Sequence, residues 1–162
     1  MFRPHVRPAA TLIGATLLLV TAASAEITAR PGWEIHASSK DYATLLADLK
    51  SAVKDQGLAV VTEAGPTDAA AARGITLPGN RVVGVFANDY AVEILGLSTA
   101  AMIEAPIRFY VTEEADGTAT LAYKTPTYVF APYLPEAGDK LGSVAARLDA
   151  AFAAIATSAL RD

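Results

Sequence analysis

The stretch that decides the fold is residues 107–123, IRFYVTEEADGTATLAY. Apolar and polar or amphipathic side chains alternate through its first half, and this period of two is typical of a strand with one buried face. Glu113–Gly117 has the composition of a hairpin turn, and Thr118–Tyr123 returns as the partner strand. The apolar positions are Ile107, Phe109 and Val111, and those between them are Arg108, Tyr110 and Thr112. The segment predicts an antiparallel pair of strands.

Two amphipathic helices are predicted from apolar residues at helical spacing. In the first helix, Ser38 is placed to cap the start, with Asp41 at the capping-box position, and Gly57 is placed to end it. Its stripe consists of Tyr42, Leu45, Leu46, Leu49 and Val53, and that of the C-terminal helix consists of Leu141, Val144, Leu148, Phe152 and Ile155. Burying one aliphatic side chain of this size contributes about 1.5–3 kcal/mol, so each stripe is expected to pack on the sheet.

The remaining segments complete the element order. Further strands are predicted at Glu34–Ala37, Leu58–Thr62 and Arg81–Phe86, where apolar and β-branched residues concentrate. Shorter helical segments are predicted at Asp68–Arg73 and Asp89–Leu95. Because neighbouring strands end in a hairpin and the two main helices are segregated, the fold class is α+β: an antiparallel-rich, curved sheet with two main helices packed on one face.

The N-terminus is predicted to be a secretory signal peptide, residues 1–25. Arg3 and Arg7 precede the largely apolar run Ala9–Val20, and Ala23-Ser24-Ala25 supplies small residues for cleavage before Glu26. The run falls short of the roughly 20 apolar residues that a transmembrane helix needs. We therefore expect a periplasmic or secreted protein. Residues 26–37 would form a lead-in and the first strand, and residues 38–162 the remainder of a single domain.

Charge and cysteine content exclude several function classes. The chain has 13 Lys and Arg against 17 Asp and Glu, and loss of the leader with its two arginines would leave 11 against 17, a net charge of −6. An acidic domain repels nucleic-acid backbones and anionic lipid surfaces, so neither is expected as a partner. The chain contains no cysteine, which excludes disulfides, thiolate metal sites and a cysteine nucleophile.

Several segments together resemble the family known as domain of unknown function 302. They are Gly57-Leu58-Ala59-Val60, the Ala-rich stretch Ala69–Arg73 with Gly74 and Pro78, the strand and turn Val82–Asp89, Ala105-Pro106-Ile107, and Tyr123-Lys124-Thr125-Pro126. The resemblance runs from about Ser38 to Ala156 and rests on the order and spacing of these segments. It implies a β-α-β4-α arrangement similar to one repeat of the TATA-binding protein. It implies no reaction, because the family has no established one.

The chain departs from the family pattern at two turns. Ala87 stands where the family has a glycine, Asp89 where it has a proline, and Lys124-Thr125 where it has an Asn-Asp pair. Since each turn follows a strand, Asn88, Asp89 and Lys124 are expected at one end of the sheet, with Asp89 and Lys124 paired. Together with Tyr123 they form the candidate ligand-binding site.

Other candidate residues have structural explanations beside the functional ones. His36, the only histidine beyond the leader, is interpreted as a strand residue at the sheet surface; the alternative is a haem or copper ligand, with Met102. The carboxylates of Glu113, Glu114 and Asp116 are expected to be solvated at the hairpin, with weak calcium binding as the alternative. The aromatic residues Tyr123, Tyr128, Phe130 and Tyr133, interleaved with prolines, either form a ligand lip or seal the core.

Two functions follow from this reading. The first is a non-catalytic binding or interaction module that uses the sheet face away from the helices, as a homodimer or with a small apolar ligand. The second is a small enzyme with a minimal polar site at Asn88, Asp89, Tyr123 and Lys124. The first is favoured because the sequence beyond the leader has no cysteine, a single histidine and no nucleophile motif such as a Gly-x-Ser-x-Gly turn. No catalytic residue, metal site or cofactor is predicted.

Overall fold

The computed structural model describes residues 27–161, and the predicted leader, residues 1–25, lies outside them. Five strands form one sheet: β1 (Trp33–Asp41), β2 (Ala59–Ala64), β3 (Asn80–Phe86), β4 (Ile107–Glu113) and β5 (Thr118–Lys124). Five helices accompany them: α1 (Tyr42–Asp55), α2 (Thr67–Ala71), α3 (Asn88–Leu97), α4 (Pro126–Phe130) and α5 (Leu134–Ala159). Short 3-10 segments lie at Ala100–Glu104 and Ala131–Tyr133. Within the described range no helix is both long and apolar enough to cross a bilayer.

The sheet has the order β1-β5-β4-β3-β2, and every neighbouring pair is antiparallel. The predicted hairpin of β4 and β5 is therefore confirmed and lies at the centre of the sheet. With the short helices set aside, the element order is β-α-β4-α. The α+β class with an antiparallel sheet is confirmed.

The core lies between the sheet and helices α1 and α5. Both predicted helical stripes reach it, since Leu45 and Leu49 of α1 and Leu141, Phe152 and Ile155 of α5 are fully buried. They meet the strand residues of one sheet face, which are Val83, Val85, Phe109, Val111, Leu121 and Tyr123. Successive strand residues point to opposite faces, so the residues between these lie on the face away from α1 and α5.

The predicted start of the first helix is wrong, and its predicted end is confirmed. Ser38 was predicted to cap it, and this is wrong: β1 runs on to Asp41, and the side chain of Asp41 accepts a hydrogen bond from Thr44 N at 2.8 Å. The reason is an irregularity between Ser38 and Asp41 that prolongs the pairing of β1 with β5. The expected end of the helix is confirmed, because Gly57 takes the left-handed φ of 74° that glycine adopts without strain.

Lys40 ties the irregular end of β1 to the C-terminus of α5. Its Nζ donates to Asp48 Oδ2 at 2.7 Å and to the carbonyl oxygen of Ala159 at 3.0 Å, and it also contacts the carbonyl of Arg161. The last carbonyls of a helix have no partner inside the helix, and a lysine there also complements the negative end of the helix dipole. Lys40 therefore fixes α5 against β1.

The segment after β5 is more helical than predicted. Its prolines stand at or near the starts of α4, the 3-10 segment and α5, where the missing N–H is not needed. Phe130 is 1% exposed and Tyr133 packs on the core, whereas Tyr128 is 47% exposed. Of the two interpretations of this aromatic group, sealing of the core fits Phe130 and Tyr133.

The hairpin carboxylates are not all solvated. Glu114 and Asp116 lie by the turn, but Glu113 belongs to β4 and its Oε2 accepts a hydrogen bond from Gly79 N at 2.6 Å. The expectation of a solvated carboxylate is therefore wrong for Glu113, because the strand continues one residue further than predicted and turns this side chain toward the loop before β3.

Candidate functional site

Of the four residues predicted as a site, Tyr123 and Lys124 line one common groove, whereas Asn88 and Asp89 are not part of its lining. β3 and β5 both pair antiparallel with β4, so Asn88, Asp89 and Lys124 leave the sheet at the same end, as expected. Among residues 27–161, however, no ion pair joins Asp89 to Lys124. All three side chains are exposed. Tyr123 is 5% exposed and packs against Phe152 on the opposite face of the sheet from Lys124.

A groove of about 440 Å³ lies on the sheet face away from α1 and α5, close to the end where β5 stops. Its floor follows the strand register, in which Ala122 of β5 pairs with Tyr110 of β4, and Tyr110 pairs with Val82 of β3. Trp33 pairs with Lys124 at one side, and Val129 of α4 closes the end. The groove therefore has an apolar and aromatic floor.

Two cations line this groove. The Nζ of Lys124 lies 5.7 Å from the ring centroid of Trp33, a cation–π contact. Arg108 is exposed, and its guanidinium forms no hydrogen bond or ion pair with any other described residue. Among the described lining residues, Glu104 is the acid, and its Oε1 accepts a hydrogen bond from the Tyr133 hydroxyl at 2.7 Å. Arg108 is thus available to an anionic group.

A second opening, a cleft of about 410 Å³, lies on the other side of the same strands, between β1 and α5. Glu34, His36 and Tyr123 contribute from the strands, and Asp149 contributes from α5. Glu34 pairs with Tyr123 across β1 and β5, one residue along from the pairing of Trp33 with Lys124. Because neighbouring residues alternate in direction, the groove and the cleft share two strands and lie on opposite faces.

Tyr123 is the central polar group of the cleft. Its ring packs against Phe109 at 5.2 Å and Phe152 at 5.6 Å between centroids. Burial, and then the negative charges of Glu34 and Asp149, raise the pKa of Tyr123 to about 12. Its phenol is therefore protonated at neutral pH.

His36 was interpreted as a sheet-surface residue, and this is wrong. The residue is on β1, but its ring points toward α5, is partly buried and stacks on Tyr123 at 6.0 Å between centroids. Its Nε2 is buried without a hydrogen-bond partner. Met102, the suggested partner of His36, lines a separate cavity of about 30 Å³ beside Phe130 and Phe152.

The sequence analysis therefore did not predict the cleft, and it did not name Arg108 or Trp33 as residues of the groove. Arg108 and Glu34 were named only as members of strands, and Trp33 only as the end of a lead-in. The alternation of side chains along each strand could have shown this, because it turns Tyr123 and Lys124 to opposite faces of the sheet and Arg108 and Tyr110 to the same face. The two strands can be combined into one site only when their pairing partners are known.

Comparison with known proteins gives a family and a fold. The family model described as "Domain of unknown function DUF302" matches residues 34–155. A crystal structure of an uncharacterized conserved DUF302 protein from Bacillus stearothermophilus superimposes with a TM-score of 0.70 at 17% sequence identity, covering 82% of this chain and 100% of that one. At this identity the likeness concerns the fold. No curated protein matches the chain.

Proposed function

We propose that this chain, which belongs to the family described as domain of unknown function DUF302, is a non-catalytic binding module. Its ligand is a small molecule with an anionic group and an apolar body, and the site is the groove on the face away from α1 and α5. The observation that carries this proposal is Arg108, an exposed guanidinium in a groove without an ion-pair partner among the described residues.

The charge arrangement supports an anion at one end of the groove. Guanidinium groups bind carboxylates with two parallel hydrogen bonds, and these charge-assisted bonds are stronger than neutral ones. Lys124 adds a second cation, held over the ring of Trp33. The whole chain is acidic, with 17 Asp and Glu against 13 Lys and Arg, so two cations facing one groove stand out from the overall charge.

The floor supports an apolar body for the same ligand. Val82, Ala122 and Val129 supply aliphatic surface, and Trp33 and Tyr110 supply aromatic faces. A concave site with mostly apolar walls and a few placed polar groups is the usual form of a small-molecule site. The volume of about 440 Å³ lies within the range of about 300–1,000 Å³ that such sites occupy.

Export is part of the proposal and rests on the leader sequence. We expect the working protein to begin at Glu26 after cleavage behind Ala25, because small residues follow the apolar run there. Intact-mass measurement of the exported protein checks this. A membrane-bound form that retains residues 1–25 would contradict it. The same measurement under native conditions reports whether the protein is a homodimer and whether it retains a ligand.

The groove is tested with 3-phenylpropanoate as an anionic probe and 3-phenylpropanamide as its uncharged counterpart. Trp33 is the only tryptophan of the chain, so its fluorescence reports binding directly. We expect the anion to change the emission of Trp33 and Arg108→Met to weaken its binding about tenfold, the loss expected for one charge-assisted hydrogen-bonded contact. Lys124→Met should also weaken binding, and both variants should remain folded because both side chains are exposed.

The matched control is Lys54→Met, which removes an exposed cation from the last turn of α1, away from the groove. It should leave binding of the anion unchanged. Equal affinity for the acid and the amide, or equal weakening by Lys54→Met and Arg108→Met, would show that Arg108 does not select an anion. An absence of any fluorescence change at millimolar probe would remove the groove as a site for this ligand class.

A further inference from the structure

We propose that the cleft between β1 and α5 is a second binding site, for a small organic ammonium ion with a short apolar body. The cleft is lined by Glu34, His36 and Tyr123 on the strand side and by Asp149 on the helix side. It lies on the opposite face of the sheet from the groove, and Tyr123 is the residue that lines both. The charged residues differ, Glu34 and Asp149 in the cleft against Arg108 and Lys124 in the groove, so each proposal can fail without the other.

The first observation is an unpartnered hydroxyl in a buried side chain. Tyr123 is 5% exposed, lines the cleft, and its phenol makes no hydrogen bond within residues 27–161. The hydroxyl oxygen itself is not shielded from solvent, unlike the unpaired His36 Nε2, so it is within reach of a molecule in the cleft. The hydroxyl remains protonated at neutral pH, because its pKa is raised to about 12. It can accept a hydrogen bond from an ammonium group and donate one to a carboxylate.

The second observation is the charge of the lining. Glu34 and Asp149 are close enough to act on the Tyr123 phenol, and neither has an ion-pair partner among the described residues. Asp149 is held in place because its Oδ1 accepts a hydrogen bond from Thr127 N at 2.9 Å. No lysine or arginine is among the described lining residues. Two carboxylates without a protein cation favour a cationic ligand.

The shape of the lining selects an organic cation. The rings of Tyr123 and His36 are stacked within 25° of parallel and both line the cleft, where they supply apolar surface for the body of an organic cation. Ala153, Ala156 and Leu160 of α5 provide an apolar wall. Across residues 27–161 no group of three or more histidine or carboxylate side chains is arranged to hold a metal ion. The cleft therefore fits an amine better than a bare metal cation.

The test is a titration of the full protein with 2-phenylethylammonium chloride, followed by two-dimensional amide NMR. We expect shifts of the amides of Glu34, His36, Tyr123 and Asp149, with little change at Trp33 or Arg108. Glu34→Gln and Asp149→Asn should each weaken binding about tenfold, the loss of one hydrogen bond to a charged group. Asp149→Asn retains an oxygen that can accept from Thr127 N, so it tests the charge without removing that support.

The control variant is Asp55→Asn, which neutralises an exposed acid at the end of α1 and should leave the affinity unchanged. Shifts produced equally by 3-phenylpropanoate at the cleft residues would overturn the proposal, since the site would then not select a cation. Calcium chloride that shifts the same amides at lower concentration would overturn the choice of an organic ammonium. No shift at about 10 mM amine, ten times above a weak dissociation constant of about 1 mM, would remove the site.

Discussion

Replacement of Phe152 by alanine is expected to lower the free energy of unfolding by about 3–5 kcal/mol, the usual cost of deleting a buried phenylalanine. Phe152 is fully buried, and its ring stacks on Phe109 at 4.4 Å between centroids. It also supports Tyr123, whose ring lies 5.6 Å away. The truncation leaves a void between α5 and the central strands, beside a cavity of about 30 Å³ that Phe152 already lines. Denaturant unfolding followed by Trp33 fluorescence measures the loss.

The matched control for Phe152→Ala is Leu95→Ala. Leu95 is also apolar and helical, but it is 51% exposed on α3, so its truncation should change stability by no more than about 0.5 kcal/mol. Similar losses in the two variants would mean that α5 is not packed on the sheet through Phe152. Because the Phe152 ring no longer supports Tyr123 in Phe152→Ala, the folded fraction of this variant should also bind 2-phenylethylammonium more weakly.

The second large effect expected is a loss of stability in alkali that depends on Tyr123. In the unfolded chain a tyrosine ionises near pH 10, whereas the folded protein raises the pKa of Tyr123 to about 12. The folded state therefore holds the proton more tightly. The stabilisation is fully present below pH 10 and is lost as the pH rises toward 12. Two pKa units correspond to roughly 3 kcal/mol at most.

Tyr123→Phe isolates this contribution, because it removes the titrating hydroxyl and keeps the ring. Between pH 9 and 12 the stability of the wild-type protein should fall more steeply than that of the variant, by up to the same roughly 3 kcal/mol. Tyr133, whose pKa is raised by its hydrogen bond to Glu104, is present in both proteins and cancels in the difference. Parallel stability curves for the two proteins would show that the Tyr123 phenol is not shielded from solvent by the fold.

Much of the fold could be predicted because the spacing of apolar residues along a helix or strand indicates which side chains are buried. Leu45, Leu49 and Phe152 were placed in the core by helical spacing alone, and all are fully buried. The alternation from Ile107 to Thr112 similarly gave the central hairpin. Proline was more ambiguous: no helix was predicted from Pro126 to Pro135, yet proline at the first turn of a helix is compatible with α4 and α5.

The candidate sites could not be predicted in the same way, because they depend on register. Asn88, Asp89, Tyr123 and Lys124 were grouped by their position after strands, which correctly placed the exposed three at one end of the sheet. The side on which each residue lies requires the pairing of β1 with β5, and these strands are separated by most of the chain. The pairing of β1 with β5 also determines which residues surround His36 and Trp33. The spacing of residues in a single sequence does not show which strands pair.

The irregularity between Ser38 and Asp41 has a consequence for how this sequence can vary. Along Trp33–Ser38 the pairing with β5 is continuous, so an inserted or deleted residue there would turn every later side chain to the wrong face and exchange the linings of the two openings. At the irregularity, Ser38 pairs with Ala119 and Asp41 with Thr118, so two residues of β1 already lie outside the regular pairing. Insertions and deletions in β1 should therefore be tolerated only between Ser38 and Asp41. There they change the position of Lys40 but leave the residues that line the groove and the cleft on their own faces.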